Sequence, residues 1–145
     1  MARILSVDYG KKRTGIAVSD PLQLIANGLA TVPTSELFDY LQSYMQKEEV
    51  ELIVVGEPRQ PDGSPSENMT RVQQFVNRWR KVCPQIPVVF YDERFTSVLA
   101  HQAIIESGIG RKARQNKALV DEISATIILR DYLESRRRQT VVAPK

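Results

Sequence analysis

One cysteine, Cys83, and one histidine, His101, are all that the 145 residues contain of either type. A single thiol excludes an internal disulfide framework and any metal site built from several cysteines. A single imidazole argues against a zinc hydrolase, because there is no second histidine to share the ion. No apolar stretch approaches the roughly 18 residues that cross a bilayer, and Asp8 interrupts the only N-terminal run that could serve a secretory signal. The expectation is a cytoplasmic protein with no membrane contact. Internal repeats, low-complexity tracts and interdomain linkers are also missing. With 42% hydrophobic and 26% charged residues, the chain has the balance of an ordinary globular protein. Its length suits one domain over 1–145, enough for a real core and too short for two.

Neither sign of charge dominates. Twenty Lys and Arg against 17 Asp and Glu leave a net charge of +3, and the isoelectric point is about 9.1. The placement of that charge is more informative than its size. Lys11, Lys12 and Arg13 form one cluster, Arg111, Lys112, Arg114 and Lys117 a second, and Arg136, Arg137 and Arg138 a third. Three basic clusters on a balanced chain suggest a polyanion footprint. The third has a competing explanation as a helix C-terminus, where cations complement the macrodipole, with a basic tail following from about 137 to 145.

Short apolar runs predict strands at 3–8, 14–19 and about 27–33, the first two joined by a tight turn as an antiparallel hairpin. A helix opening at Ser35 runs to about Glu49, with Phe38, Leu41 and Met45 on one face. The apolar run 51–56 is a buried strand, and the Pro- and Gly-rich stretch 57–65 is a loop. Met69, Val72, Val76, Trp79 and Cys83 advance by threes and fours, which marks a core-facing helix from about Ser66 to Val82. A fifth strand at 87–91 leads into a helix capped by Thr96 or Ser97 and broken at Gly108 and Gly110. The basic stretch 108–116 is expected to be mobile, and a last helix covers about Lys117 to Arg136.

A three-strand meander followed by alternating helices and strands predicts an α/β fold with a mixed five-stranded sheet in the order 3-2-1-4-5. Helix crossovers make the fourth and fifth strands parallel to the first. Ligands gather at the carboxyl ends of parallel strands, and Asp8, Gly56-Glu57 and Asp92-Glu93 all fall there. Asp121 joins them from the last helix, where it heads an apolar stripe with Ala125, Ile128 and Tyr132. Glu122 and Glu134 are better placed for solvent. Asp8 could instead simply open a turn, and Asp121 could simply favour a helix N-terminus.

Carboxylates sharing a rim repel. Two of them about 4 Å apart at an effective dielectric near 20 repel by roughly 4 kcal/mol. Either one is protonated or a cation joins them, and oxygen-only ligands select Mg²⁺ or Mn²⁺. Two such ions would clamp the attacking and leaving oxygens of a phosphodiester. Lys11, Arg13 and Arg94 could bind substrate phosphates or balance the neighbouring acids. Gly10 and Gly15 could let backbone approach a phosphate, or serve a tight turn.

Asp8-Tyr9-Gly10 with Thr14-Gly15-Ile16-Ala17, then Gly63-Ser64, then Asp92-Glu93-Arg94-Phe95-Thr96-Ser97, then Lys117-Ala118-Leu119-Val120-Asp121 with Ser124-Ala125 and Ile127-Ile128-Leu129 closely resemble the YqgF/RuvX family, in order and over nearly the whole chain. The resemblance implies an RNase H-like fold related to Holliday junction resolvases, and a nuclease acting on pre-16S rRNA in ribosome maturation. It implies an acidic triad of Asp8, Glu93 and Asp121 that is both catalytic and metal-binding. Gly10, Lys11, Arg13, Thr14, Arg94, Arg111, Lys112, Arg114 and Lys117 are the expected nucleic-acid contacts. Two positions depart from the family pattern. Glu57 stands where relatives have an apolar residue, and is either an extra metal ligand or a loop residue. Ser124 stands where related resolvases carry a further acid. Three carboxylates would then face two divalent ions, so substrate phosphate would be needed to complete the coordination.

The expected partners are structured RNA, above all the rRNA precursor, or branched DNA, bound by a monomer or homodimer. Three other functions compete: a resolvase of four-way DNA junctions, an ATP-binding protein of the actin and sugar-kinase type, and a non-catalytic RNA-binding assembly factor. The kinase type places an Asp and glycines in a similar first hairpin, but it needs two such domains.

Overall fold

Residues 4–7 carry apolar side chains on both sides of the strand, so this strand must be covered on both faces, and it lies at the middle of the sheet. The computed structural model describes residues 2–57, 68–92 and 117–142, with 92, 117–120 and 137–142 described by backbone alone. The strands are β1 (Arg3–Asp8), β2 (Arg13–Ser19), β3 (Ala26–Pro33), β4 (Val50–Glu57) and β5 (Val88–Asp92). They form one sheet in the order β3-β2-β1-β4-β5. β2 runs antiparallel to both β1 and β3, while β4 is parallel to β1 and to β5. This is the mixed α/β sheet expected from the crossovers, and its order and direction agree with an RNase H-like fold.

Alternation along each strand divides the core into two layers. Leu5, Val7, Ile16, Val18, Ile53 and Val55 face α1 (Leu37–Lys47) and α2 (Met69–Val82). That layer is thick with rings: Phe38 meets Trp79 edge-on at 5.3 Å, and Phe75 lies 5.5 Å from Tyr9. The stripe on α2 is buried as its spacing requires, with Phe75 added to it. Trp79 is fully enclosed and its ring N–H donates to the Ile86 carbonyl at 3.3 Å. On the other face, Ile4, Ala17 and Val54 pack against Ala125, Ile128, Leu129 and Leu133 of α3 (Lys117–Val142). Here the sheet presents small residues and the helix lies close. Ser6 is wholly buried and its hydroxyl donates to the Ala125 carbonyl at 2.7 Å.

Helix ends shift from their expected places: α1 stops at Lys47 rather than about Glu49, and α2 opens at Met69 rather than about Ser66. A 3-10 turn, Thr34–Glu36, precedes α1, so the α-helix proper begins at Leu37 rather than Ser35. At the other terminus, α3 continues to Val142. Arg136 to Arg138 therefore sit inside the helix, and the last turn holds no basic residue, so the macrodipole explanation for that cluster does not hold. Arg and Gln are good helix formers, and the first strong stop is Pro144, which disfavours helix at the residue before it. Arg136 instead places its guanidinium 5.8 Å from the Tyr132 ring. Among the described residues no helix is long and apolar enough to cross a membrane.

Candidate functional site

Asp8 is the last residue of β1, and its partner across the ladder is Gly15 of β2. Paired residues of antiparallel strands point to the same face, so Asp8 shares the α3 face with Ile4 and Ser6. Gly15 determines what lies above. A Cβ built there would collide with the carbonyl oxygen of Asp121. The backbone of α3 thus rests on the strand at the one position without a side chain, directly beside Asp8. Asp121 and Asp8, 113 positions apart in the chain, are brought to one rim by this contact.

Arg13 completes the group. Its Nε donates to Asp121 Oδ2 at 3.1 Å, with the two side chains 40% and 27% exposed. A pair this open to water contributes about 0–1 kcal/mol. Its larger effect is local, since it offsets part of the repulsion expected between the two carboxylates. Of the readings open for Arg13, the structure shows the balancing contact.

The turn that carries the basic cluster is held by one residue that sequence reasoning passed over. The Thr34 hydroxyl donates to the Gly10 carbonyl at 2.6 Å and lies 2.9 Å from the Thr14 hydroxyl, while the Thr34 N–H donates to the Lys12 carbonyl at 2.9 Å. Lys11 and Lys12 are exposed on that turn. Thr14, expected to touch nucleic acid, is instead fully buried, and its hydroxyl serves the Thr34 contact. Gly10 and Gly15 are needed by the protein's own backbone: a Cβ on Gly10 would strike the Arg13 carbonyl, as one on Gly15 would strike Asp121. Of the two readings open for these glycines, the close approach of backbone is the one the structure displays.

Other expected residues fall elsewhere. Glu57 ends β4 opposite Asp92 and shares the parity of Ile53 and Val55, which face α1 and α2. That places it away from the Asp8–Asp121 face, and inside β4 rather than in the loop expected over 57–65, the rest of which lies outside the described residues. Ser124 is 1% exposed, and an ionised acid at so buried a position would cost several kcal/mol, on the order of the usual desolvation penalty. Glu122 does not stand in open solvent; it lies over Gly28 of β3. Lys117 is the first residue of α3. Glu93, Arg94, Arg111, Lys112 and Arg114 lie outside the described residues, as do Gly63-Ser64 and the helix expected after Thr96. Among the described residues no three His, Cys, Asp or Glu side chains gather as a metal site.

Comparison with known proteins points the same way. Residues 2–135 match the family model described as "RuvX: Holliday junction resolvase". A protein of Phocaeicola vulgatus named "Putative pre-16S rRNA nuclease" is 63% identical over 94% of this chain and 99% of its own length. Proteins of the same name from Bacteroides thetaiotaomicron and Porphyromonas gingivalis are 60% and 50% identical, over 94% and 95% of this chain and 99% and 100% of theirs. Among solved structures, "YeaZ from Pseudomonas aeruginosa" resembles 74% of this chain and 50% of its own, with a TM-score of 0.45 at 16% identity, too distant a likeness to argue from.

Proposed function

Because the chain belongs to the RuvX family, also called YqgF, we propose that the rim shared by Asp8 and Asp121 is the cleavage centre of a divalent-cation-dependent endonuclease acting on precursor 16S rRNA. The protein is a nuclease, a hydrolase of nucleic-acid phosphodiester bonds. The observation that supports the assignment of the centre is the close approach of the Asp121 backbone to Gly15, the residue paired with Asp8 at the carboxyl end of β1. Ligands of α/β sheets collect at such ends.

The donors fit a hard cation. Asp8 and Asp121 offer oxygen only, on one face and at one end of the sheet, which is the ligand chemistry Mg²⁺ and Mn²⁺ select. Glu93, which follows β5 in the sequence, is the third ligand in this reading. When bound, the ions would supply Lewis-acid stabilisation of the charge that builds on the attacked phosphate.

The chain's own groups do the rest. Arg13 holds Asp121 in place through Nε and keeps the other N–H groups of its fork for a phosphate oxygen. Lys11 and Lys12, presented on a turn locked by Thr34, draw the polyanion toward the rim. Arg94, Arg111, Lys112, Arg114 and Lys117 extend that surface in the proposal. A cytoplasmic site of action follows from the rRNA substrate.

Resolution of four-way DNA junctions is the second reading, favoured by the description of the matching family model. It requires a symmetric pair of active sites and so a dimer. The test is incubation of precursor rRNA and of a junction DNA with Mg²⁺ or Mn²⁺, beside Asp8→Asn and Asp121→Asn. Cleavage of the rRNA that falls at least about a hundredfold in each variant supports the proposal, since even outer-sphere partners of a metal often cost that much. Cutting of junction DNA alone moves the substrate assignment to DNA. Full rRNA cleavage by either variant removes that residue from the centre.

A further inference from the structure

Strand alternation sends Asp8 and Tyr9 to opposite faces of the same rim, and the face that Tyr9 enters holds a second feature. A cleft of about 510 Å³ opens there between the β1–β2 turn, the start of α1 and one side of α2. Its aromatic wall is made by Tyr9, Phe38 and Phe75, in which Tyr9 and Phe75 lie 5.5 Å apart and Phe38 and Phe75 6.4 Å apart. Lys11, Arg71 and Arg78 supply its cations, and no carboxylate is among the described residues that line it.

The arginines are placed by helix geometry. Arg71, Gln74, Phe75 and Arg78 recur at three- and four-residue steps, so one face of α2 presents two charges above a buried ring. Arg78 lays its guanidinium over the Phe38 ring, 4.0 Å from the centroid. Arg71 lies close enough to Tyr9 to pull its phenol pKa downward, against the larger upward push of burial. The backbone under Tyr9 is fixed too, because the Asn68 side-chain amide donates to the Tyr9 carbonyl at 2.8 Å. By contrast, the cavity on the outer side of α1 is lined by Glu36 and Asp39 with only Lys47 to balance them. A polyanion would be repelled there and attracted here.

A partly exposed ring, backed by two buried ones and rimmed by cations, is the chemistry that holds a nucleotide, with the base against Tyr9 and its phosphates on the arginines and lysine. We propose that this cleft binds one unpaired nucleotide of the substrate strand next to the bond that is cut. A strand crossing the rim would then place its scissile phosphate beside Asp8 and Asp121 and the neighbouring base against Tyr9. The site thereby selects RNA that is single-stranded on one side of the cut. This rests on the nuclease reading for its position along the strand, but not for binding itself.

The test uses the full chain without divalent cations, so that binding is read apart from cleavage. Anisotropy of a short 5′-fluorescein oligouridine is compared with that of an abasic oligomer of equal length. Tyr9→Leu should weaken oligouridine about tenfold and leave the abasic strand unchanged, whereas Tyr9→Phe should bind both as wild type does. Arg71→Gln with Arg78→Gln should weaken both probes and lower the slope of log affinity against log salt by about 1.4. Circular dichroism melting confirms that each variant folds. Wild-type affinity for oligouridine in Tyr9→Leu, or in the arginine pair, overturns the inference. If these variants bind as wild type while Asp121→Asn loses cleavage, the cleft fails and the nuclease reading stands. If they lose RNA affinity while Asp121→Asn cuts normally, the cleft stands and the assigned centre fails.

Discussion

The two faces of the sheet are built from opposite materials. Toward α1 and α2 the core is deep and ring-rich, with Trp79, Phe38 and Phe75 interlocked. Toward α3 it is thin: Gly15, Ala17 and Ser6 lie under the helix, and two of them touch its backbone at Asp121 and Ala125. A thick layer gains stability from buried area and absorbs small shifts. A thin layer buries less but fixes the helix backbone to the strand, which is what two carboxylates on separate elements need if they are to share an ion. Stability and positioning are assigned to different sides of one sheet.

Breaking the thick side should cost most in stability. Trp79→Ala removes a fully enclosed ring and its bond to Ile86, and a loss of about 3–5 kcal/mol is expected from chemical denaturation. Whatever fraction remains folded should retain its cleavage rate per folded molecule. Gly15→Ala breaks the thin side. The new methyl group strikes the Asp121 carbonyl, so overpacking of about 1–3 kcal/mol is expected, together with a drop in activity larger than the folded fraction explains. An unchanged activity per folded molecule would show that the position of α3 is not critical.

Asp121→Asn removes charge from the thin side without changing its shape. Without metal it loses an exposed ion pair with Arg13 and also loses repulsion with Asp8. The two changes oppose each other, and an exposed pair contributes little, so stability should fall by no more than about 1 kcal/mol. A larger fall would mark Asp121 as a structural acid.

The smallest effect concerns a third carboxylate, at the far end of the sheet. Asp20 accepts the backbone N–H groups of Ile25 and Leu24 at 2.8 Å each and of Leu22 at 3.2 Å, and the bond from Ile25 is the leading cause that holds its pKa below the usual carboxylate value. A depressed folded value means that the contribution is complete above the ordinary carboxylate range and is lost as pH falls through the depressed one. The melting difference between wild type and Asp20→Asn should therefore shrink on acidification below about pH 4. A difference independent of pH would contradict that origin.

Much of the fold was legible because periodicity and crossover rules act over many residues at once. The five strands, their order and the buried stripe on α2 all follow from such patterns. Asp8 and Asp121 were legible for a related reason: each is an acid at the end of an apolar pattern, a mismatch that periodicity exposes. Single-atom contacts leave no such trace. Thr34 holds the β1–β2 turn through one hydroxyl and one N–H, and nothing in its neighbours marks it. The use of Gly10 and Gly15 was ambiguous because a missing side chain accommodates backbone and phosphate alike. Arg136 to Arg138 read as a helix end because the cluster resembles a terminal cap, while the helix in fact runs on to Val142. The Tyr9 cleft was invisible in sequence because its wall and cations come from three elements, at 9–11, 34–38 and 71–78.

Convergence of Asp8 and Asp121 on one catalytic unit is tested most directly by a double-mutant cycle on rRNA cleavage, measured for Asp8→Asn, Asp121→Asn and the pair in saturating Mn²⁺. Residues that act as one unit are not additive, so the double variant should lose no more than the worse single variant, within a few-fold. Losses that multiply would place the two carboxylates in independent roles and contradict the shared site.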